Sequence, residues 1–560
     1  MAPSAEGRSQ PGLAMPGAMQ DIPLQVSSML RHAAAINARH EIVSRGSSGD
    51  LLRYDYRTAE RRSRQLAKGL RGLGIGTGDR VASLAWNTHR HFELFYGVPG
   101  MGAVLHTVNP RFRDDQIIYV INHAGNRALF FDADLAELVA RIAPQLTSVE
   151  HYVLLGDDAE LPANVQVPMT SYESLLADED FRWPELDERS ACMLCYTSGT
   201  TGNPKGVMTS HRSTVLHALA AQSAVAFGLT PMESVLLVVP MFHAFGWAIP
   251  FVAAISGAKL ILPGPAPDSA TLVDLIRSEE ATLAMGVPTV WSGILDHVAK
   301  DGVGLAPLRR ALIGGSAVPS HISSSLRQDH GVDVITGWGM TELSPLGSFT
   351  STTPEIEALP TKEGEAAKYG RAGRMLYPVE LRIVDTRGEP VAADGAAVGD
   401  IWVRGPSIAA GYFGDEGENV LDKNGWFPTG DIGTIDRHGS IAITDRFKDL
   451  IKSGGEWISS TELESAAALA PGVAQVAAIS ARHPKWQERP LLIVVPASGA
   501  SPDAEAITDV MATTLPRWQL PDAILFVNGL PLTATGKVDK KALRALYGDH
   551  LIDNSSDKRG

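Results

Sequence analysis

Apolar positions recur in two alternating rhythms along most of the chain. From about Tyr56 to Phe131, helical spacing gives way to short apolar runs such as Arg80–Ala85 and Arg127–Phe131. Helical stretches between short continuous apolar strands predict βαβ units and a parallel sheet. A second section, about Cys192 to Ile335, repeats the alternation, with runs at Ser234–Val239, Lys259–Leu262 and Arg310–Ile313, each followed by turn residues. A third, about Gly373 to Asp445, is strand-dense with polar turns (Glu380–Val384, Gly399–Val403, Ser440–Ile443) and predicts a small β-rich subdomain. The last ~110 residues combine short strands at Val473–Ile479 and Leu491–Val495 with two helical stretches, an α+β pattern. The fold class expected is therefore α/β: a large amino-terminal domain of two parallel-type sheets plus the β-rich subdomain, and a mobile α+β carboxy-terminal domain. The expected boundaries are a disordered segment 1–20, the large domain 21–445, a hinge 446–449, the small domain 450–548 and a disordered tail 549–560. Gly72–Gly78 is glycine-rich, but it follows a helix and precedes a strand, the reverse of the dinucleotide-binding order, so it is a connection.

Composition narrows the chemistry. The 560 residues are 44% hydrophobic and 20% charged, an ordinary globular balance. A formal net charge of −14 argues against a nucleic-acid footprint. No apolar run approaches the ~18 residues of a membrane span, and no secretory or peroxisomal signal is present, so a cytoplasmic location is expected. The two cysteines, Cys192 and Cys195, have C-x-x-C spacing, but no second ligand pair accompanies them. In a strand they would point to opposite faces, and they are read as core side chains.

The richest stretch chemically is Tyr196-Thr197-Ser198-Gly199-Thr200-Thr201-Gly202-Asn203-Pro204-Lys205-Gly206, which follows the apolar run Ala191–Cys195. Glycines let backbone N–H groups turn inward, hydroxyls add donors and the lysine adds a point charge. These are the parts that hold a polyphosphate. The order is not that of a Walker A loop, because the lysine follows proline and precedes glycine. Trp338-Gly339-Met340-Thr341-Glu342 follows Gly337 farther on; Gly314-Gly315-Ser316-Ala317-Val318-Pro319 follows a buried strand; Gly425–Asp431, Asp445–Asp449, Ser453–Ser459 and Pro531–Lys540 complete the series.

In this order the motifs resemble those of the adenylate-forming superfamily, in its acyl-CoA synthetase branch, over roughly Asp21 to Tyr547. The resemblance implies an ATP-dependent carboxylate–CoA ligase that releases pyrophosphate, then AMP, with ATP, Mg²⁺ and coenzyme A as cofactors and a small carboxylic acid as partner. It implies no nucleic acid and no transmembrane segment, and leaves a homodimer open. It makes Thr197, Ser198, Gly199, Thr200, Thr201, Gly202 and Lys205 the phosphate loop, and Gly315, Ser316 and Ala317 the adenine-side turn. Gly337, Trp338, Gly339, Met340 and Thr341 line the nucleotide, with Trp338 where the family usually has a tyrosine stacked on adenine. Glu342 and Thr197 are implied for the metal, and Asp431 and Arg446 for the ribose. Lys448 takes the hinge position. Gly454, Gly455, Glu456 and Trp457 form the strip that faces the site during thiol transfer, although Trp457 departs from the usual asparagine. Lys537 is the catalytic lysine, and Thr197, Glu342 and His243 are also carried over as catalytic.

His243, Trp247, Val287, Gly315 and Met340 form the implied acid pocket. Beyond His243 at its mouth, Trp247, Val287, Gly315 and Met340 are apolar or small and no basic residue stands out to receive a second carboxylate, so a monocarboxylate with an apolar tail is expected. The branch of medium- and long-chain fatty acid ligases is most similar, and ligases for 3-methylmercaptopropionate and arylalkanoic acids are similar too. A stand-alone adenylation module loading a carrier protein would share every ATP-side motif; a luciferase-like oxygenase and a non-enzymatic binder are the remaining classes.

Overall fold

A computed structural model describes residues 18–160, 167–177, 181–197, 203–414, 420–454, 456–497, 499–533 and 537–552. Most of the N-terminal segment and of the tail expected to be disordered lies outside these residues. Residues 549–552 are described, and Asp549 is ion-paired with Arg482.

Two sheets dominate. The first has seven strands in the spatial order Met169–Ser171, His151–Leu154, Asn126–Phe131, Arg80–Leu84, Val104–Thr107, Ala191–Thr197, Lys205–Ser210. All neighbours are parallel except the last pair, an antiparallel hairpin. The second has nine strands: Arg374–Met375, Leu346–Phe349, Asp333–Gly339, Arg310–Ile313, Leu283–Gly286, Ser234–Leu237, Lys259–Leu262, Glu41–Arg45, Leu51–Asp55. Its interior is parallel and both margins turn antiparallel.

Two expected section boundaries shift. Ala191–Thr197 does not open the second sheet; it pairs parallel with Val104–Thr107 in the first. Periodicity records only that a strand is buried on both faces, not which sheet receives it. Arg374–Met375 likewise closes the edge of the nine-stranded sheet instead of joining the β-rich subdomain. That subdomain is an antiparallel sheet of Glu380–Val384, Gly399–Arg404, Phe427–Ile435 and Ile441–Arg446. In the carboxy-terminal region the strands run Glu456–Ile458, Ile451–Ser453, Gln487–Pro496, Val473–His483, with Ala523–Phe526 parallel to Gln487–Pro496.

One hydrophobic cluster spans both large sheets. It takes Val81, Leu105 and Phe130 from the first and Val235, Leu260 and Leu312 from the second, with the helices Val26–Ile36, His89–Gly100 and Ile249–Ser256 among them. Ile249–Ser256 is apolar on nearly every side, which suits a helix packed all round. Helix Tyr56–Gly72 starts where the Asp55 carboxylate accepts from Thr58 N at 2.8 Å. Its exit is followed by Gly74 at φ +77°, confirming Gly72–Gly78 as a helix-to-strand connection. Cys192 and Cys195 are buried and free, but both belong to the same core cluster. Strict alternation, which would have parted them, fails because the strand register shifts between Ala191 and Met193. Among the described residues no helix is long and apolar enough to cross a membrane.

Tyr96 and Phe251 pack edge to face at 6.0 Å, and the Tyr96 hydroxyl donates to Pro250 O at 2.7 Å. Phe251→Ala empties this junction, and a loss of about 3–5 kcal/mol is expected for a buried aromatic. Tyr96→Phe removes only the hydrogen bond, at about 1 kcal/mol. Urea unfolding followed by tryptophan fluorescence should rank the two in that order; equal midpoints would contradict the packing account.

Candidate functional site

The carboxyl ends of parallel strands are where open α/β sheets bind ligands. Here those ends supply most of the predicted residues. Thr197 ends Ala191–Thr197, His243 follows Ser234–Leu237, Val287 follows Leu283–Gly286, the Gly314–Ala317 turn follows Arg310–Ile313, and Thr341 and Glu342 follow Asp333–Gly339. The strands on either side of the phosphate stretch are antiparallel: Thr197 pairs with Lys205 and Tyr196 with Gly206. Ser198, Gly199, Thr200, Thr201, Gly202 and, farther on, Gly455 lie outside the described residues.

Glycine requirements are severe along this rim. A Cβ on Gly339 would stand 2.1 Å from Pro345 O, and one on Gly337 would stand 2.6 Å from Ser348 O. Both positions admit no other residue without moving backbone. Gly315 sits at φ +88° and is exposed, as are Ser316 and Ala317.

Lys537 reaches this turn from the carboxy-terminal region. A Cβ built on Gly315 would lie 3.2 Å from Val287 Cγ1, 3.7 Å from Trp247 and 3.8 Å from Lys537 Cε, so one glycine marks the meeting of three predicted residues. Lys537 is held in a small hairpin: Leu532 bridges Val538, and Lys537 N donates to Thr533 Oγ1 at 3.2 Å. The residue keeps some exposure, but its ammonium is enclosed. Burial first, then the Arg446 and Lys448 charges, push it down to about 8, while Asp431 opposes them. His243, beside it, is pushed down to about 4 by burial and by the Lys537 charge, and is neutral near pH 7.

The run that carries His243 and Trp247 is conformationally unusual. Ala244, Phe245, Gly246, Trp247 and Ala248 all have φ between +34° and +67°. Four of the five are not glycine, and each L-residue in this region costs about 1–2 kcal/mol. Such strain persists only where the surroundings over-determine it. Here Phe245 is almost wholly buried in the main core, and Trp247 presses on Gly314, where a Cβ would approach its ring to 3.0 Å.

Asp431, expected at the ribose, is 4% exposed and doubly held. Arg446 Nε lies 3.0 Å from Oδ1, and Trp338 Nε1 donates to Oδ2 at 2.7 Å. The indole of Trp338 is buried in the β-rich subdomain's core with Phe427 and Ile441, and its N–H holds the Asp431 carboxylate. Thr341 and Glu342 are both 6% exposed, on a single 3₁₀ turn, Thr341–Leu343. Burial raises the Glu342 carboxyl; Tyr412, whose hydroxyl donates to Oε1 at 2.9 Å, acts against that rise.

Tyr412 had not been singled out, although Gly411-Tyr412-Phe413-Gly414 brackets an aromatic pair with glycines in a polar connection. Lys205 Nζ stands 4.8 Å from its ring centroid. Met340 and Val287 are partly buried, and Met340 packs beside Trp338. Lys448 is exposed in the turn after Ile441–Arg446, where Asp449 N donates to Arg446 O at 2.8 Å. Glu456 pairs with Ser453 across two antiparallel strands. Gly454, at φ +61°, abuts Trp486, and Trp457 pairs with Phe447 at 5.8 Å and receives Lys452 over its ring.

Comparison with known proteins shows the family. The AMP-binding enzyme family matches residues 30–413, and the AMP-binding enzyme C-terminal domain matches residues 462–537. A 3-methylmercaptopropionyl-CoA ligase of Ruegeria lacuscaerulensis is 45% identical over 96% of this chain and 100% of its own length. A medium-chain-fatty-acid–CoA ligase of Ectopseudomonas oleovorans is 43% identical over 97% and 99%. The ATP-bound MatB of Rhodopseudomonas palustris superposes with a TM-score of 0.80 at 25% identity, covering 94% of this chain and 100% of that one. With family matches on both sides of the Lys537 approach and full-length relatives, the chain belongs to the AMP-binding enzymes of the adenylate-forming superfamily, in their acyl-CoA ligase branch.

Proposed function

We propose that the protein joins a monocarboxylic acid with an apolar tail to coenzyme A, using ATP, and that a medium- or long-chain fatty acid is its substrate. One observation carries the residue assignments: an enclosed lysine ammonium from the carboxy-terminal region stands against the Gly315 turn, next to Trp247 and Val287. In the first step a carboxylate oxygen attacks the α-phosphorus of ATP. The new O–P bond replaces the bond to pyrophosphate, which leaves. In the second the thiol sulfur of coenzyme A attacks the acyl carbon, AMP leaves with the bridging oxygen, and the thiol proton passes to solvent. Neither step needs a protein nucleophile; both need charge compensated and reactants aligned.

Placement supports the assignments. Lys537 stands where carboxylate and α-phosphate oxygens would crowd negative charge, and its ammonium offsets that charge in an enclosed setting where it is worth most. Asp431, fixed by Trp338 and Arg446, offers its remaining lone pairs to the ribose hydroxyls. Lys205 and Thr197 serve the phosphates. The donor set fits a magnesium ion shared with phosphate oxygens: one carboxylate, Glu342, and one hydroxyl, Thr197. Among the described residues no group of three His, Cys, Asp or Glu could hold a metal alone. Glu342 and Thr197 would hold the ion, which would supply positive charge to offset that of the phosphates.

Trp247 and Val287 wall the acid pocket, and neutral His243 stands at its mouth. The hinge at 446–449 divides a large domain, 21–445, from a small one, 450–548, and its rotation at Lys448 brings Gly454–Trp457 to the site for thiol transfer. The relatives extend to 3-methylmercaptopropionate, a short sulfur-containing acid that the same apolar walls would accept. Carrier-protein loading would need a protein thiol in place of coenzyme A.

Lys537→Ala tests the proposal. Adenylate formation, read as acid-dependent pyrophosphate release in single turnovers, should fall by roughly 10²-fold or more. Reaction of preformed acyl-adenylate with coenzyme A should be largely spared, and equal losses would refute the two-state assignment. The pH profile gives a second check. The charged ammonium is the working form and its value in the free protein is about 8, so kcat/KM for adenylation should decline as pH rises through about 8. In Lys537→Arg, whose guanidinium stays charged, that decline should vanish even if the overall rate is lower. Trp247→Ala should move preference toward longer or bulkier acids in a panel of graded chain length; an unchanged profile would remove Trp247 from the pocket.

A further inference from the structure

The connection Gly405–Gly414, between the strands Gly399–Arg404 and Phe427–Ile435, touches both halves of the phosphate site. Ala409 N donates to the main-chain oxygen of Glu342 at 2.8 Å, and Phe413 N donates to that of Gly206, also at 2.8 Å. Ser344 Oγ donates to Ser407 O at 2.7 Å. The far end is wedged against the first sheet. Gly414 adopts φ +90° with a would-be Cβ 2.9 Å from the His123 ring, and His123 Nδ1 lies 2.7 Å from the hydroxyl of Tyr196, the residue before Thr197. A Cβ on Gly206 would meet Phe413 at 3.1 Å. The connection is thus a strap fastened to the Glu342 turn at one end and the phosphate-loop hairpin at the other.

Tyr412 occupies the middle of the strap and points two different groups at two different charges. Its hydroxyl donates to Glu342 Oε1 at 2.9 Å, and its ring faces Lys205 Nζ at 4.8 Å from the centroid. The residue is only partly buried, so a tyrosine needed just for packing could have turned its hydroxyl to water. A neutral phenol serves both charges at once: its O–H satisfies a carboxylate, and its electron-rich face attracts an ammonium without neutralising it. Burial and the adjacent Glu342 hold the phenol proton in place.

We propose that Tyr412 is a positioning residue that fixes the Glu342 carboxylate and the Lys205 ammonium relative to each other, and so sets the affinity of the site for the metal-bound polyphosphate of ATP. The proposal rests on the reading of Glu342 as the carboxylate that faces the metal and phosphates. Tyr412 itself touches no reacting atom; it acts through its two neighbours.

The test is equilibrium binding, measured by calorimetry on the full chain with a non-hydrolysable α,β-methylene analogue of ATP and magnesium. AMP, which lacks the outer phosphates, serves as the reference ligand and counts folded sites in every variant. Tyr412→Phe keeps the ring over Lys205 and removes the hydroxyl. It should weaken the magnesium–nucleotide complex about tenfold, the size of a hydrogen bond to a charged group, and leave AMP affinity and the KM for the acid unchanged. Glu342→Gln should weaken the same complex, and the double variant should bind no more weakly than Glu342→Gln alone, since the hydroxyl acts only through that carboxylate. Wild-type affinity in Tyr412→Phe, or an equal further loss in the Glu342→Gln background, overturns the positioning role alone. Unchanged affinity in Glu342→Gln overturns the underlying reading of Glu342, and the positioning role falls with it.

Discussion

An ammonium group enclosed beside a glycine turn is the constraint around which the rest is arranged. Lys537 stands against Gly315, whose φ of +88° suits only glycine and where a Cβ would crowd Val287 at 3.2 Å. Enclosure has a cost, visible as the fall of the ammonium to about 8. It also has a use, because a charge withdrawn from water acts more strongly on phosphate and carboxylate oxygens. The lysine arrives on a short hairpin from the carboxy-terminal region, while everything it faces comes from the large domain. Chemistry at this point therefore depends on how two parts of the chain are placed against each other.

The large domain supplies a rim and not a cavity in the core. Five parallel strands end in the segments that carry Thr197, His243, Val287, Gly315 and Glu342. Strand interiors are close-packed and uninformative about ligands; the chemistry begins where each strand runs out. Strain is concentrated at the same edge. The left-handed run Ala244–Ala248 and the irreplaceable Gly337 and Gly339 all lie within a few residues of predicted contacts. Polar residues follow the same logic, since Asp431 and Glu342 are buried and each has a fixed neutral or cationic partner.

Much of this was legible in the residues. Apolar runs of four to seven residues announced the strands, and motif order announced the site, because a phosphate loop, a Thr-Glu turn and a distant Thr-Gly-Lys serve no shared purpose unless they meet. Three of the readings that were not legible show the physical reasons. Sheet membership was lost for Ala191–Thr197, whose burial on both faces looks the same in either sheet. The bond from Trp338 to Asp431 was lost because the two residues stand 93 apart in sequence and motif order does not show which partner an indole N–H finds. Tyr412 was passed over because its two contacts lie 70 and about 200 residues away in sequence, farther than any local pattern reaches.

The account requires that a carboxylate oxygen and the α-phosphorus bond to each other at the Lys537 site. Acid labelled with oxygen-18 in both carboxyl oxygens, turned over with ATP and coenzyme A, reports that bond through the mass of the AMP released. One labelled oxygen in each AMP is the predicted result. Unlabelled AMP, or ADP and phosphate in its place, would contradict the central claim outright.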